Sequence, residues 1–170
     1  MTRKLTTEQV TARLGKIKLL SLDVDGVMTD GGLYYTDEGT QFRKFNVKDG
    51  LGIKLAMKTG VEMCIISASR QVSSITRGEH LGIKHVRIGA EDKIAALNEI
   101  RGELGIELDE IAHVGDDLTD VVLMNVVGLG LSVHGAVAEA TEAAHYVTEK
   151  SGGAGAVREL CDLIVAARSD

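Results

Sequence analysis

A chain of 170 residues with 44% apolar content can bury one sizeable α/β core, and no linker, charge block or internal repeat divides it. The formal net charge of −6 argues against nonspecific nucleic-acid binding as the main task, but a local cluster of cations can still hold a small anionic substrate. Trp and Pro are absent and aromatics make up 3%, so the core must rest on Leu, Ile, Val, Ala and Met.

Cys64 lies in a strand-like run and Cys161 in a helix-like one, without C-x-x-C spacing, so both read as buried free thiols in a reducing compartment. The opening Met1-Thr2-Arg3-Lys4-Leu5 has no apolar stretch behind it, and no run approaches membrane-spanning length. A cytoplasmic protein without membrane association is expected.

In chain order, Thr6 to Leu14 predicts a short capped helix closed by Gly15, and Ile17 to Asp23 the first core strand. That strand runs into Asp23-Val24-Asp25-Gly26-Val27-Met28-Thr29-Asp30-Gly31. Strand alternation would put Asp23 and Asp25 on one face, where two carboxylates repel and lose hydration. A hard cation such as Mg²⁺ relieves that repulsion; an acidic turn closing an ordinary strand is the alternative. Gly32 to Asn46, with an Asp37-Glu38-Gly39 turn, predicts a β-hairpin whose exposed face carries Phe42, Phe45, Tyr34 and Tyr35. Such a face suits either packing on its own domain or a subunit contact.

Asp49 to Lys58 predicts a helix capped by Asp49, Val61 to Ser67 a strand, Gln71 to Leu81 a helix ended by Gly82, and Ile83 to Ile88 a strand. Lys93 to Leu104 is amphipathic and stopped by Gly105. Ile111 to Gly115 predicts a strand and Asp117 to Asn125 a helix. Val127 to Val133, Ala136 to Ala143 and Tyr146-Val147 complete the alternation. Alternating strands and helices imply a parallel sheet covered on both faces, with functional groups at the C-terminal ends of the strands.

Four such ends carry polar residues: Asp23 and Asp25; Ser67, Ser69 and Arg70; Lys93 after its loop; and Gly115-Asp116-Asp117-Leu118-Thr119-Asp120. Each alone would pass for a helix cap or a solvated charge. Together they supply a carboxylate nucleophile, a proton-transferring acid, carboxylates for a metal, and cationic and hydroxyl groups for phosphoryl oxygens.

These four motifs, in this order, resemble those of the haloacid dehalogenase (HAD) superfamily. The long first motif, the hairpin and Gly152-Gly153-Ala154-Gly155-Ala156-Val157-Arg158-Glu159 resemble the 3-deoxy-D-manno-octulosonate (KDO) 8-phosphate phosphatase family, from about Lys16 to Ala166. The resemblance implies a Rossmann-like three-layer α/β core with a parallel sheet, capless, carrying a hairpin insertion. It implies Asp23 as nucleophile and Asp25 as acid/base, with Mg²⁺ held by Asp23, the Asp25 backbone carbonyl and Asp116. Asp117 and Asp120 would orient that shell, while Ser67 and Lys93 would bind the phosphoryl group. The second motif departs from the family's Thr/Ser-Gly-Arg: it reads Ser67-Ala68-Ser69-Arg70, with the arginine one place later. The phosphate-binding hydroxyl is kept but the sugar-sensing group has moved, so a nonulosonate 9-phosphate is the alternative substrate.

The hairpin is too small to be a cap. The resembled family consists of homotetramers whose hairpins pack together and whose subunits complete one another's sites, so a homo-oligomer is expected. Arg158 in the C-terminal segment (about 151–170) would meet a sugar-acid carboxylate, or the segment is a turn before a last helix. Asn46, Lys48 and Asp49 are substrate-contact candidates, with helix capping the alternative for Asp49. The five histidines lack metal-ligand spacing and read as structural or surface residues. Two competitors remain: an inactive oligomerisation module, which would not need all of these groups, and a phospho-receiver, which lacks the acid two residues past the nucleophile.

Overall fold

A computed structural model describes residues 4–169; residues 1–3, part of the segment read for a leader, and residue 170 lie outside it. The elements are α1 (Thr7–Leu14), β1 (Leu19–Leu22), β2 (Tyr34–Tyr35), β3 (Gln41–Phe42), α2 (Val47–Met57), β4 (Glu62–Ser67), α3 (Ser73–Leu81), β5 (His85–Ile88), α4 (Lys93–Leu104), β6 (Ile111–Gly115), α5 (Leu118–Met124), β7 (Leu129–His134), α6 (Ala138–Ala143), β8 (Tyr146–Ser151) and α7 (Ala156–Arg168). Six strands form one parallel sheet in the order β5-β4-β1-β6-β7-β8, and β2 and β3 form a separate antiparallel hairpin. No helix among the described residues is long and apolar enough to cross a membrane.

Alternation along the strands sorts the interior into two layers. Leu20, Leu22, Met63, Ile65, Ala112 and Val114 pack under α1, α2 and α7, whereas Leu19, Cys64, Ile66 and Ile111 pack on Leu97, Ile100 and Leu123 of α4 and α5. The α4/α5 side of β1 and β6 is completed by Ser21 and His113, partners in the strand register and both fully buried. Continuing the same parity brings Asp23 to the α4/α5 side, where helix starts supply cations and caps. The strand stops at Leu22, so alternation does not govern Asp25.

The hairpin obeys alternation more strictly than expected. Gln41, Arg43 and Phe45 turn inward, while Phe42 and Lys44 face out, so Phe45 does not share an exposed face with Phe42. Phe45 packs against the core, the Arg77 guanidinium lies 5.6 Å from its ring centroid, and Phe45 bridges Thr29. Outside, Tyr34 stacks on Phe42 at 5.5 Å.

The cap of α2 is Asn46, whose side chain accepts from the Lys48 N–H, so the helix starts at Val47 and not at Asp49. β8 also extends to Ser151, beyond the Tyr146-Val147 expected, because its pairing with β7 resumes after a bulge. Beyond Ser151 the chain is no detachable tail. Val157, Leu160, Cys161 and Ile164 of α7 are all fully buried, and the preceding glycines lie on the loop after β1. The Gly153 N–H donates to Val27 O at 3.1 Å, and the Asn46 amide donates to Gly153 O at 3.1 Å. A methyl group at Gly152 would lie 1.7 Å from Gly26 O. Gly152→Ala is therefore expected to cost about 1–3 kcal/mol, the usual penalty of overpacking. A urea midpoint unchanged from the native sequence would show that this contact does not constrain the loop.

Candidate active site

The site forms where β1, β4 and β6 end. Asp23 is held by backbone pairing to β6, its N–H donating to Val114 O at 3.0 Å. The following loop folds over Val24 O, which accepts from the N–H groups of Val27, Met28 and Thr29 and from the Thr29 hydroxyl. Gly26 is required for two reasons: its φ is +86°, and a Cβ there would stand 1.9 Å from Asp116 Oδ2.

Lys93, at the first position of α4, is 3% exposed and donates to Asp23 Oδ1 at 2.7 Å and to Asp120 Oδ1 at 2.5 Å. Burial alone would push its ammonium down, but the two carboxylates outweigh that and hold it above its ordinary value. Asp120 is saturated. Its Oδ1 also meets His113 Nε2 at 3.2 Å, and its Oδ2 accepts from the N–H groups of Asp116 and Asp117. Burial opposes its ionisation, yet the bonds from His113 and Lys93 hold it well below the usual carboxylate range. Burial also lowers His113, favouring the neutral ring. Against an ionised Asp120, the neutral ring carries its proton on Nε2, and Nδ1 accepts from the Ser21 hydroxyl at 3.0 Å. A continuous buried chain thus runs Ser21–His113–Asp120–Lys93–Asp23.

Asp23, Asp116 and Asp120 each bring an oxygen to within 4.8 Å of one another. Because Asp120 is saturated, the donors free for a cation are Asp116 and the Asp23 oxygen not held by Lys93. These hard, anionic oxygens fit a divalent ion such as Mg²⁺. Burial, then Asp120, pushes Asp23 up to about 7. Burial, then Asp120 and Asp117, likewise pushes Asp116 up to about 7. Asp116 also lines an open cleft of about 270 Å³ with Gly26, Asp30, His134, Ser151 and Gly152.

Of the other predicted residues, Ser67 closes β4 buried at the site, its hydroxyl accepting from Ser69 N–H at 3.2 Å. Asp117 caps α5 through the Leu118 N–H. Arg70 does not enter the site: it is largely exposed and pairs with Glu91 at 3.2 Å. Asn46 is committed to the backbone of Lys48 and Gly153. Asp49 is buried and caps not α2 but α7, accepting from Arg158 N–H at 2.8 Å. Lys48 and Arg158 line a separate depression of about 330 Å³ with Lys150 and Asp162, and Arg158 pairs with Asp162 at 2.7 Å. Asn46 and Asp49 are thus engaged with backbone groups at the starts of α2 and α7, and Lys48 and Arg158 stand apart from the acidic cleft of their own chain.

Two further residues complete the site. His113 joins it through Asp120, and Arg43 from the hairpin donates to Asp25 through Nε at 2.5 Å and Nη2 at 2.9 Å. The signals for both lie in the sequence: a polar residue in each of two otherwise apolar strands, and the inward parity of Gln41, Arg43 and Phe45.

A carboxyl that holds its proton more tightly folded than unfolded stabilises the fold below its unfolded value, and that contribution is lost as pH rises through the folded one. In chelator, Asp116→Asn is therefore expected to gain stability relative to the native sequence as pH rises from about 4 to about 7, and added Mg²⁺ to narrow the gap. Melting curves whose difference stays flat across that window would contradict the assignment.

Residues 67–160 match the family model described as haloacid dehalogenase-like hydrolase. The 3-deoxy-D-manno-octulosonate 8-phosphate phosphatase of Yersinia pestis is 40% identical over 161 residues, covering 95% of this chain and 86% of that protein. The Moraxella catarrhalis phosphatase of the same name, solved with magnesium, phosphate and KDO, superposes with a TM-score of 0.92 at 37% identity, covering 96% of this chain and 94% of that one. A cobalt-bound phosphatase from Haemophilus influenzae gives 0.88 at 33% identity, covering 92% of each chain. The chain belongs to the haloacid dehalogenase-like hydrolases, within the family of the KDO 8-phosphate phosphatases.

Proposed function

We propose that this enzyme is a Mg²⁺-dependent phosphatase that hydrolyses KDO 8-phosphate to KDO and phosphate through an aspartyl-phosphate on Asp23. The observation that carries this reading is the asymmetry of Asp23, a buried carboxylate with one oxygen tethered to Lys93. Lys93 fixes that oxygen for attack while leaving it a lone pair, and the other oxygen is free for the cation.

In the first half-reaction an Asp23 oxygen forms a bond to phosphorus as the ester P–O bond breaks, and Asp25 gives its proton to the departing sugar oxygen. In the second, Asp25 takes a proton from water as the water oxygen attacks phosphorus, and the Asp23–phosphorus bond breaks to release phosphate. Lys93 and the Ser67 hydroxyl hold phosphoryl oxygens, and Lys93 offsets the charge of the carboxylates. Asp23, the Asp25 carbonyl and Asp116 would hold Mg²⁺, which when bound supplies Lewis-acid charge to the phosphoryl group.

Two features of the chain support the rest of the reading. Leu33, Tyr35, Phe42, Val47, Leu51 and Val72 are large apolar side chains left exposed on the hairpin and the helix starts near it. A homotetramer packed through this surface would cover them. Both cysteines are free and buried, in keeping with a reducing cytoplasm. We read the chain as one catalytic domain with the hairpin as its insertion.

Phosphate release with Mg²⁺ from KDO 8-phosphate, a nonulosonate 9-phosphate and an aryl phosphate tests the proposal. A chelator-sensitive preference for KDO 8-phosphate is expected, with Asp23→Asn inactive but folded. Asp25→Asn is expected to be slowed about 10²–10⁴-fold, the usual worth of acid–base catalysis. Preference for the nonulosonate ester would replace the substrate. Near-native rates from Asp25→Asn would remove that residue from its role.

A further inference from the structure

Arg43 is the one residue that the hairpin places on the catalytic carboxylates, and its geometry is that of a fixed device and not a surface ion pair. Its side chain is 2% exposed, against 34% for Asp25. Nε and Nη2 donate to the two different oxygens of Asp25, and Nη2 also donates to the Ser69 hydroxyl at 2.8 Å. Nη1 is buried without a hydrogen-bond partner among the described residues. A guanidinium cannot shed its charge, and this one is shielded from water. Among the described residues Asp25 is the only anion that pairs with it, because Ser69 contributes a neutral oxygen. Separating the pair would strand a buried cation, a situation that is strongly unfavourable. The forked contact also fixes the carboxylate plane, which a single bond would leave free to rotate.

We propose that Arg43 is the positioning residue of Asp25, so that the hairpin sets the orientation of the acid/base group. Forked donation occupies one lone pair on each Asp25 oxygen and leaves a second on each for the proton in transit. The guanidinium therefore aims the carboxyl without blocking it. The partners on the far side of Arg43 agree with a locked hairpin: Gln71 donates to Gln41 at 2.6 Å, and Tyr34 and Lys44 both fasten Asp30 at 2.7 Å. This inference rests on Asp25 being the acid/base group.

Leaving-group dependence separates the role from general support of the fold. A sugar alkoxide needs a proton as it departs, whereas a nitrophenolate leaves almost without help. Arg43→Ala is expected to lower kcat/KM, which reports the steps up to departure of the leaving group, by at least about 10²-fold on a sugar phosphate, the lower end of what acid–base catalysis contributes, with a much smaller loss on nitrophenyl phosphate. In an Asp25→Asn background the same change is expected to cost almost nothing further, since the two act as one unit. Arg43→Lys, which keeps the charge but not the fork, is expected to fall short of the native sequence and serves if the alanine variant does not fold. Equal kcat/KM losses on both esters, a full additional loss in the Asp25→Asn background, or native turnover from Arg43→Lys would overturn the proposal. If Asp25→Asn itself showed no leaving-group dependence, the reading of Asp25 would fail instead.

Discussion

The buried ammonium of Lys93 is the interaction on which the rest of the site depends. Two carboxylates, Asp23 and Asp120, meet it at 2.7 and 2.5 Å with almost no water access, and Asp116 lies close by. Removing one member of a buried ion pair costs about 3–5 kcal/mol, because the other is left uncompensated. Much of the surrounding architecture can be understood as meeting that demand. α4 starts where the cation is needed, α5 starts where Asp120 can collect two backbone N–H groups, and His113 and Ser21 fill the layer beneath. Asp120 is thereby consumed in holding the cation, and the proposed nucleophile Asp23 keeps one oxygen unclaimed by it.

Around this centre the chain uses close backbone approach in place of bulk. Gly26 lets the loop after β1 pass over the Asp116 carboxylate, and Gly152 and Gly153 let the turn before α7 brace that loop from behind. Asn46 ties the same turn to the root of the hairpin. First loop, hairpin and C-terminal helix therefore form one support, although the turn before that helix lies 107 residues from Asn46 at the hairpin's root. The hairpin does not roof the cleft. It reaches the Asp25 carboxylate through Arg43, and the proposed role of that residue explains how an insertion of that size bears on catalysis.

What was legible in the sequence follows from how local each signal is. Apolar periodicity and a closing glycine located Lys93–Leu104, and an unbroken apolar run located Ile111–Gly115. Parallel pairing then brings Asp23, Ser67 and Asp116 to one edge, as their places at strand ends imply. Asp49 and Asp117 are ambiguous because the side chains that cap helices also bind ligands. Only tertiary packing shows Asp49 serving α7, more than a hundred residues away. His113 lacks metal-ligand spacing with the other histidines, yet its contact is with Asp120, across the turn between β6 and α5. Arg43 lies in a hairpin whose plainest sequence signal is its aromatics, although alternation with Phe45 marks its inward face.

The central claim is that Asp23 is the residue that carries the phosphoryl group. Its most direct test is rapid acid quenching of the enzyme during turnover of KDO 8-phosphate with Mg²⁺, followed by peptide mapping by mass spectrometry. The account predicts that the peptide containing Asp23 gains the mass of one phosphoryl group, and that the gain vanishes in Asp23→Asn together with turnover. A phosphoryl group on any other side chain, or phosphate release by Asp23→Asn at the native rate, would contradict it.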